Sequence, residues 1–321
     1  MPEVITDVAV GVICRDDGHI LIGSRPEGKP WAGWWELPGG KIEPGEAVLQ
    51  ALARELKEEI DIQISQAWPW VTHVHRYPTT TVRLHFCHVT AWQGNPMALE
   101  NQQLQWIRVE DALERKDLLP ATYPPLRWLQ IPRRYLISGV GHPEHLPAFM
   151  NRLELAFEQG VRLVQWREPD WQQTHGEQSV YEAMQAVLSL CQRHQARLMI
   201  NSAHPSSWWN EAHGVHLRAQ DAQEMNSRPD LKPGHWLGVS THTPAELRKA
   251  REIGADFAVL GPVLATPTHP GCEHMGWDKF ETWNLQAGLP VFALGGQSTK
   301  TLLTARSRGA HGIAGIRQLI D

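Results

Sequence analysis

The segment from Gly40 to Ile62 constrains this chain more than any other, because acidic residues recur in it at helical spacing. It reads GKIEPGEAVLQALARELKEEIDI, with Glu55, Glu58 and Glu59 at positions i, i+3 and i+4. The intervening residues are rich in Ala and Leu, which favour a helix, and the spacing puts the three carboxylates on one face. Such oxygen ligands suit Mg²⁺ or Mn²⁺. The alternative is a solvated acidic helix without a ligand.

Glycines and an arginine accompany this predicted helix. Leu37-Pro38-Gly39-Gly40 precedes it, and glycine permits tight turns and a close approach of the backbone to a ligand. Arg54 can orient a neighbouring carboxylate through charge-assisted hydrogen bonds. The segment therefore predicts a loop and a helix that hold a divalent cation.

Length and composition indicate a cytoplasmic protein of two domains, or one large one. The chain has 321 residues, and its 42% hydrophobic content is ordinary for globular domains. A net charge of −5 and a pI near 6.4 argue against a nucleic-acid polymer as partner. Four cysteines without CxxC spacing are typical of reduced thiols. The N-terminal sequence predicts neither a signal peptide nor a membrane span, and the oligomeric state stays open.

The first half reads as mixed strands around one main helix. Apolar strands are predicted at 8–15 and 20–25, on either side of the turn Asp16-Asp17-Gly18. After the acidic helix, strands are predicted at 67–75, 80–92 and 104–108, and short helices at 109–115 and 123–129. Pro132 with Arg133 and Arg134 suits a linker, so the predicted domains are 1–131 and 132–321.

From residue 135 the pattern changes to short apolar strands that alternate with amphipathic segments. Strands are predicted at 135–138, 163–166, 197–201, 215–217, 236–239, 257–260, 291–294 and 312–315. Helices are predicted between them, among others at 146–159, 180–192, 244–253 and 299–307. Strand–helix units of this number and length are typical of a (β/α)8 barrel, whose site lies at the C-terminal ends of its strands.

The acidic segment resembles the Nudix box, G-x5-E-x7-R-E-L-x-E-E-x-G-U, where U is aliphatic. The matching residues are Gly40, Glu46, Arg54, Glu55, Leu56, Glu58, Glu59 and Ile62. Asp61 departs, because it stands where the family usually has glycine. The first half as a whole is similar to the MutT type, which cleanses oxidised dGTP. The resemblance implies an N-terminal Nudix α/β/α sandwich with a mixed sheet that hydrolyses a nucleoside triphosphate to the monophosphate and pyrophosphate.

The Nudix resemblance implies a metal and a base. Mg²⁺, or Mn²⁺, would be held by Glu55, Glu58 and Glu59 together with backbone oxygen near Gly39. Glu55 or Glu100 would take the proton of the attacking water, since Glu100 stands where the family places another catalytic carboxylate.

The same resemblance implies contacts to the nucleotide. Arg25 would contact the nucleotide, or else be a surface arginine. Leu37 would pack on the base, or else belong to the core. Thr122 stands where the family usually has a base-reading asparagine, and a hydroxyl cannot copy the paired hydrogen bonds of an amide.

The strand ends of the second half resemble thiamine-phosphate synthase and its relative, the thiazole tautomerase. The similar segments are VQWRE at 164–168, IN at 200–201, GVHL at 214–217, GVSTHT at 238–243, GPV at 261–263, TPT at 266–268 and ALGG at 293–296. They imply a C-terminal TIM barrel that binds a thiamine-related phosphate. Its contacts would come from the strand ends, where glycine N–H groups suit phosphate, at Gln165, Arg167, Asn201, Gly295, Gly296 and Gly315.

Departures from the synthase pattern predict a barrel without synthase activity. Ser202 replaces an aspartate that helps to hold Mg²⁺, and Pro169 and His269 replace lysines, whereas the carboxylate of Asp221 is retained. A leaving pyrophosphate needs its charge neutralised. His242 is either the acid–base group that the tautomerase resemblance implies or a structural histidine.

Three functions are compatible with this sequence. The leading hypothesis is an 8-oxo-dGTP hydrolase with an appended barrel, which would serve DNA repair by cleansing the nucleotide pool. The second is a protein of thiamine metabolism, whose barrel binds or tautomerises thiazole phosphate and whose Nudix half hydrolyses a thiamine-related diphosphate. The third treats the barrel as a scaffold that sets the oligomeric state.

Overall fold

The chain divides at the linker into two units, Met1–Ile131 and Pro132–Asp321, and each unit has its own hydrophobic core. The computed structural model describes residues 5–265, 273–317 and 319. The segment 266–268, His269 and Cys272 therefore lie outside the described residues. Within the described ranges, no helix is both long and apolar enough to span a bilayer.

The first unit is built on a mixed sheet and a smaller antiparallel sheet. Its strands are β1 (Ile5–Ile13), β2 (His19–Ser24), β3 (Trp35–Glu36), β4 (Gly39–Lys41), β5 (Gln63–Arg76), β6 (Thr81–Gln93) and β7 (Leu104–Arg108). Its α-helices are α1 (Val48–Ile60), α2 (Val109–Leu113) and α3 (Tyr123–Leu129). The sheets have the orders β4-β1-β6-β5 and β3-β2-β7. Strand β1 is parallel to β6 and antiparallel to β4, which confirms the predicted mixed sheet.

The helices α1 and α3 pack on opposite faces of the larger sheet. Successive side chains of a strand point to opposite faces, and on β6 Cys87 belongs to the core cluster that contains α1 residues such as Leu56. On the other face, the ring of Phe86 lies 6.1 Å from that of Trp128 in α3. The first unit is thus the α/β/α sandwich that the sequence predicted.

The end of α1 explains how the chain departs from the Nudix pattern at Asp61. Asp61 caps the helix in the left-handed conformation, with φ of 54°, and its N–H donates to the carbonyl of Leu56. Glycine is the usual residue at such a cap, and aspartate is one of the few others that adopt this conformation. The Asp61 carboxylate also forms an ion pair with Lys57. The turn of the box is therefore kept without glycine.

The second unit is a closed barrel of parallel strands. The strands are β8 (Arg134–Ile137), β9 (Leu163–Trp166), β10 (Arg197–Asn201), β11 (Gly214–Leu217), β12 (Trp236–Thr241), β13 (Phe257–Leu260), β14 (Val291–Leu294) and β15 (Gly312–Gly315). They follow chain order, and β15 pairs with β8 to close the barrel. The α-helices are α4 (Leu146–Glu158), α5 (Pro169–His175), α6 (Glu177–Arg193), α7 (Ala219–Glu224), α8 (Pro244–Glu252), α9 (Gly276–Asn284) and α10 (Leu302–Ser307). The predicted (β/α)8 TIM barrel is confirmed.

Candidate functional site

Two glycines bring strand β4 against the acidic face of α1. Gly39 has φ of +146°, and a Cβ added there would lie 2.1 Å from the carbonyl oxygen of Ala9. A Cβ added at Gly40 would lie 2.1 Å from the carboxylate of Glu55. The Gly39 N–H donates to the Glu59 carboxylate at 3.0 Å. The two predicted metal ligands Glu55 and Glu59 thus lie beside the glycine pair. They can approach it this closely because glycine has no side chain.

Arg54 organises the remaining carboxylates of the box. Its Nε and Nη2 donate to the two oxygens of Glu46 at 3.0 and 2.9 Å. Its Nη1 donates to Glu55 at 2.8 Å and to Glu58 at 3.3 Å, and Nη2 also donates to the Lys41 carbonyl. Arg54 therefore orients Glu55, as its charge and position predicted.

The carboxyl of Glu59 lies in an environment that disfavours negative charge. Burial raises its pKa to about 7, against the lowering effect of the Gly39 N–H, and the nearby charges of Glu36 and Glu100 raise it further. The backbone is fixed here as well, because Gln102 Nε2 donates to the Glu59 carbonyl at 2.8 Å. A negative group held in such a place is suited to a cation as neighbour.

The oxygen donors of this site are of the type that a divalent cation prefers, and Glu55 and Glu59 both lie against the pair Gly39 and Gly40. Glu58 is turned toward Arg54, and its side chain is 61% exposed. Within the described ranges, no group of three or more His, Cys, Asp or Glu residues is arranged to hold a metal. The structure therefore brings together two of the three predicted carboxylate ligands.

The other predicted groups of the first unit surround this site in ion pairs. Arg25 Nη1 donates to both oxygens of Glu36, at 3.0 and 2.9 Å, although burial still raises the pKa of Glu36. Glu100, the second predicted base, pairs with Lys29 at 2.7 Å, and its side chain is 43% exposed. Glu36 and Lys29 were not predicted from the sequence, because neither belongs to the Nudix box.

The predicted base-contacting residues Leu37 and Thr122 are both buried, each with 5% exposure. Thr122 ends a 3₁₀ helix, Pro120–Thr122, directly before α3. The hydroxyl of Tyr77 forms a hydrogen bond with the backbone of Ala121 in the same turn, while burial raises its pKa. The ring of Tyr77 packs edge-to-face against the ring of His75, with 4.4 Å between the ring centroids. Tyr77 is thus a polar aromatic neighbour of Thr122 that the sequence had not singled out.

A chain of buried polar groups runs through the interior of the barrel. Asn201 Nδ2 donates to the side-chain oxygen of Gln165 at 2.9 Å, and Gln165 Nε2 donates to the Tyr135 hydroxyl at 3.0 Å. That hydroxyl lies 3.1 Å from His216 Nδ1, and His216 Nε2 lies 2.9 Å from the Ser240 hydroxyl. Two predicted ligand residues, Gln165 and Asn201, therefore belong to one connected network. The other three residues, Tyr135, His216 and Ser240, were indicated only as polar side chains within mostly apolar strands.

Other predicted barrel residues lie separately at the strand ends. Arg167 is exposed directly after β9. His242 follows β12 with its side chain 56% exposed, and its Nδ1 lies 3.2 Å from the Glu246 carboxylate. Gly295 and Gly296 follow β14 with positive φ of 94° and 64°, and Gly315 ends β15. The structure places these residues at the C-terminal end of the barrel, and it brings His242 into contact with a carboxylate rather than with the buried network.

Comparison with known proteins gives the class of each unit. The NUDIX domain model matches residues 5–129, and the thiamine monophosphate synthase model matches residues 135–319. The chain is therefore a Nudix hydrolase domain joined to a TIM barrel.

The second match spans more than half of the chain, so the chain belongs to the thiamine monophosphate synthase family. Similar proteins exist for each unit. CTP pyrophosphohydrolase of Escherichia coli K12 is 39% identical over 117 residues, 36% of this chain and 86% of that protein. The 8-oxo-dGTP diphosphatase of Haemophilus influenzae is 37% identical over 121 residues, 38% of this chain and 88% of that protein. Thiamine-phosphate synthase of Synechococcus sp. CC9311 is 32% identical over 186 residues, 58% of this chain and 52% of that protein. The chain thus spans about half the length of that synthase.

Proposed function

We propose that the first unit hydrolyses 8-oxo-dGTP to the monophosphate and pyrophosphate with Mg²⁺. The observation that carries this proposal is the pair Glu55 and Glu59 held against Gly39 and Gly40, with the similarity to 8-oxo-dGTP diphosphatase as support. When bound, the metal would be held by Glu55, Glu59 and, after rotation, Glu58, and would supply positive charge to the diphosphate.

The chain's own residues perform the remaining steps of the proposed reaction. Glu55 or Glu100 accepts the proton of the attacking water. Arg54 holds Glu55 in the position that this transfer needs. Arg25 contacts the nucleotide, and Leu37 and Thr122 contact the base. Because Thr122 offers one hydroxyl instead of an amide, it recognises a base through a single hydrogen bond.

Base selectivity is tested by comparing substrates under the same conditions. The purified protein is assayed with Mg²⁺ against 8-oxo-dGTP, dGTP, CTP and thiamine diphosphate, with CTP included because of the E. coli relative. We expect the highest kcat/KM for 8-oxo-dGTP, and loss of hydrolysis in Glu58→Gln and on chelation of the metal. Comparable rates for dGTP and 8-oxo-dGTP would refute the selectivity, and a preference for thiamine diphosphate would refute the nucleotide assignment.

A second function is proposed for the barrel, where family membership favours a thiamine-related phosphate as ligand. Gln165, Arg167 and Asn201 would contact it, and Gly295, Gly296 and Gly315 would offer backbone N–H groups to its phosphate. His242 would be the acid–base group if the barrel tautomerises this ligand. Calorimetry of the full-length protein with thiazole phosphate and thiamine monophosphate tests this proposal. Absence of binding heat with both compounds would refute it and leave the scaffold hypothesis. A change of oligomeric state on removal of the barrel would then support the scaffold hypothesis.

A further inference from the structure

An ion pair occupies the edge of the barrel where β10 and β11 end. Ser202 follows β10 and Arg218 follows β11, and the Arg218 backbone N–H donates to the Ser202 hydroxyl at 2.9 Å. Arg218 Nε and Nη2 donate to the two oxygens of Asp221, at 2.6 and 2.8 Å. The Ser202 hydroxyl donates to the same carboxylate. The carboxylate that could have bound a metal at this edge is therefore already saturated by a guanidinium and a hydroxyl.

Among the residues that the structure describes, the carboxylates around Asp221 do not offer another metal site. Although burial raises the pKa of Asp221, its hydrogen bonds with Arg218 and Ser202 hold it below the ordinary value. Glu168, after β9, is 2% exposed, and its oxygens accept from the Ser138 hydroxyl and from the N–H groups of Val140 and Gly141. A divalent cation would have to displace several charge-assisted hydrogen bonds to reach either residue. The barrel edge does not fit the metal that its family resemblance implies.

The same arrangement holds a guanidinium, paired with Asp221, at the C-terminal end of the barrel. The Arg218 side chain is 43% exposed, and its planar guanidinium presents Nη1 away from the two nitrogens that face Asp221. Asp221 fixes the orientation of the Arg218 guanidinium. A planar guanidinium matches the geometry of a phosphate better than the ammonium of a flexible lysine does. Exposed Arg167, after β9, adds a second guanidinium to the same end of the barrel.

We propose that the barrel binds a phosphate or diphosphate group without a divalent cation, and that the Arg218 guanidinium supplies the charge that a metal would otherwise supply. The inference rests on the proposal above that the barrel takes a phosphate-bearing ligand. It assigns Asp221 and Ser202 as positioning residues for Arg218 rather than as metal ligands.

Calorimetric titration of the full-length protein with inorganic pyrophosphate, in EDTA and in Mg²⁺, tests the proposal; the protein with the wild-type barrel and all variants also carry Glu55→Gln and Glu59→Gln, which remove Mg²⁺-dependent binding by the first unit. In EDTA we expect the wild type to bind pyrophosphate. Binding by Arg218→Gln should be at least about tenfold weaker, because a charged hydrogen-bond donor is lost. The matched control is Arg228→Gln. Arg228 also pairs with an aspartate, Asp256, at 2.7 Å, but at the opposite end of the barrel, and its loss should leave binding unchanged. The circular dichroism of each variant and hydrogen exchange of its barrel peptides check that the barrel is folded.

A double variant, Ser202→Asp with Arg218→Gly, makes the converse test. It exchanges the guanidinium for a second carboxylate beside Asp221, so pyrophosphate binding should be lost in EDTA and return with Mg²⁺. Binding that requires Mg²⁺ equally in the wild type and in Arg218→Gln would overturn the metal-free site alone. Absence of binding by the wild type under both conditions would overturn this site and the proposed phosphate ligand of the barrel together.

Discussion

Replacing Gly40 by alanine should separate the activity of the first unit from its stability. The added Cβ would lie 2.1 Å from the Glu55 carboxylate, which is the end of a flexible side chain and can move. The move costs about 0.5–1.5 kcal/mol of rotamer strain, and alanine restores about 0.4–1 kcal/mol by restricting the unfolded chain. The free energy of unfolding should therefore change by less than about 1 kcal/mol. Hydrolysis should fall by roughly 10²–10⁴ in kcat/KM, because a catalytic carboxylate is displaced.

Gly39→Ala is the matched contrast to Gly40→Ala. Its Cβ would meet the carbonyl oxygen of Ala9, part of the backbone of β1, and the residue has φ of +146°. Strain of this kind costs about 1–3 kcal/mol, so Gly39→Ala should destabilise the first unit. Pyrophosphate release gives kcat/KM, and hydrogen exchange of peptides from β1 and α1 gives the stability of this unit separately from the barrel. Gly40→Ala with wild-type kcat/KM would refute the placement of Glu55 in the catalytic site.

Three further predictions concern single side chains. Arg54→Lys should lower kcat about tenfold or more with little change in KM, since an ammonium cannot hold Glu55 as the fork does; stopped-flow kinetics that match the wild type would contradict this. Tyr135→Phe removes the hydroxyl that bonds Gln165 Nε2 and His216 Nδ1, and leaving these two buried atoms unpaired should cost the barrel about 1–3 kcal/mol in urea unfolding. Burial, with the charge of Arg167, lowers the pKa of His216 to about 3 from an unfolded value of 6.5. The unfolded chain then takes up the proton first, so His216 alone should make barrel stability fall by about 1.4 kcal/mol per pH unit below pH 6.5, in addition to the same effect from His204. His216→Gln should flatten this slope in hydrogen exchange.

The strands of the barrel could be predicted almost to the residue, since each is a short buried apolar run between polar segments. β9, β10, β13, β14 and β15 have the predicted bounds. β3 and β4 were not predicted, because they contain only two and three residues. They are strands because distant partners pair with them, as Val8 to Val10 do with β4. Local propensity carries no information about such pairing. No bounds were predicted for the helices α5, α7 and α9, and two of them begin at Pro169 and Gly276.

The carboxylates of the candidate site could be predicted from spacing, whereas their electrostatic surroundings could not. Helical periodicity places Glu55 and Glu59 on one face whatever the rest of the chain does. The ion pair of Lys29 with Glu100 joins residues that are 71 positions apart, and only the folded chain brings them together. The pairing of Arg218 with Asp221 is local, at i and i+3. This ion pair could have been predicted from the sequence, but the resemblance to the synthase led to an interpretation of Asp221 as a metal ligand only.

The closure of the barrel by β15 and β8 has a consequence for synthesis of the chain. β15 begins 178 positions after β8 (312 minus 134). A ribosome that adds about 5–20 residues per second emits these two strands roughly 9–36 s apart. During that interval the first strand of the barrel has an unpaired edge, whereas the first unit already has all its strands and can fold beside the ribosome. Nascent chains of this protein should therefore gain nucleotide hydrolysis before the barrel is complete, and chaperones should engage them mainly through the growing barrel.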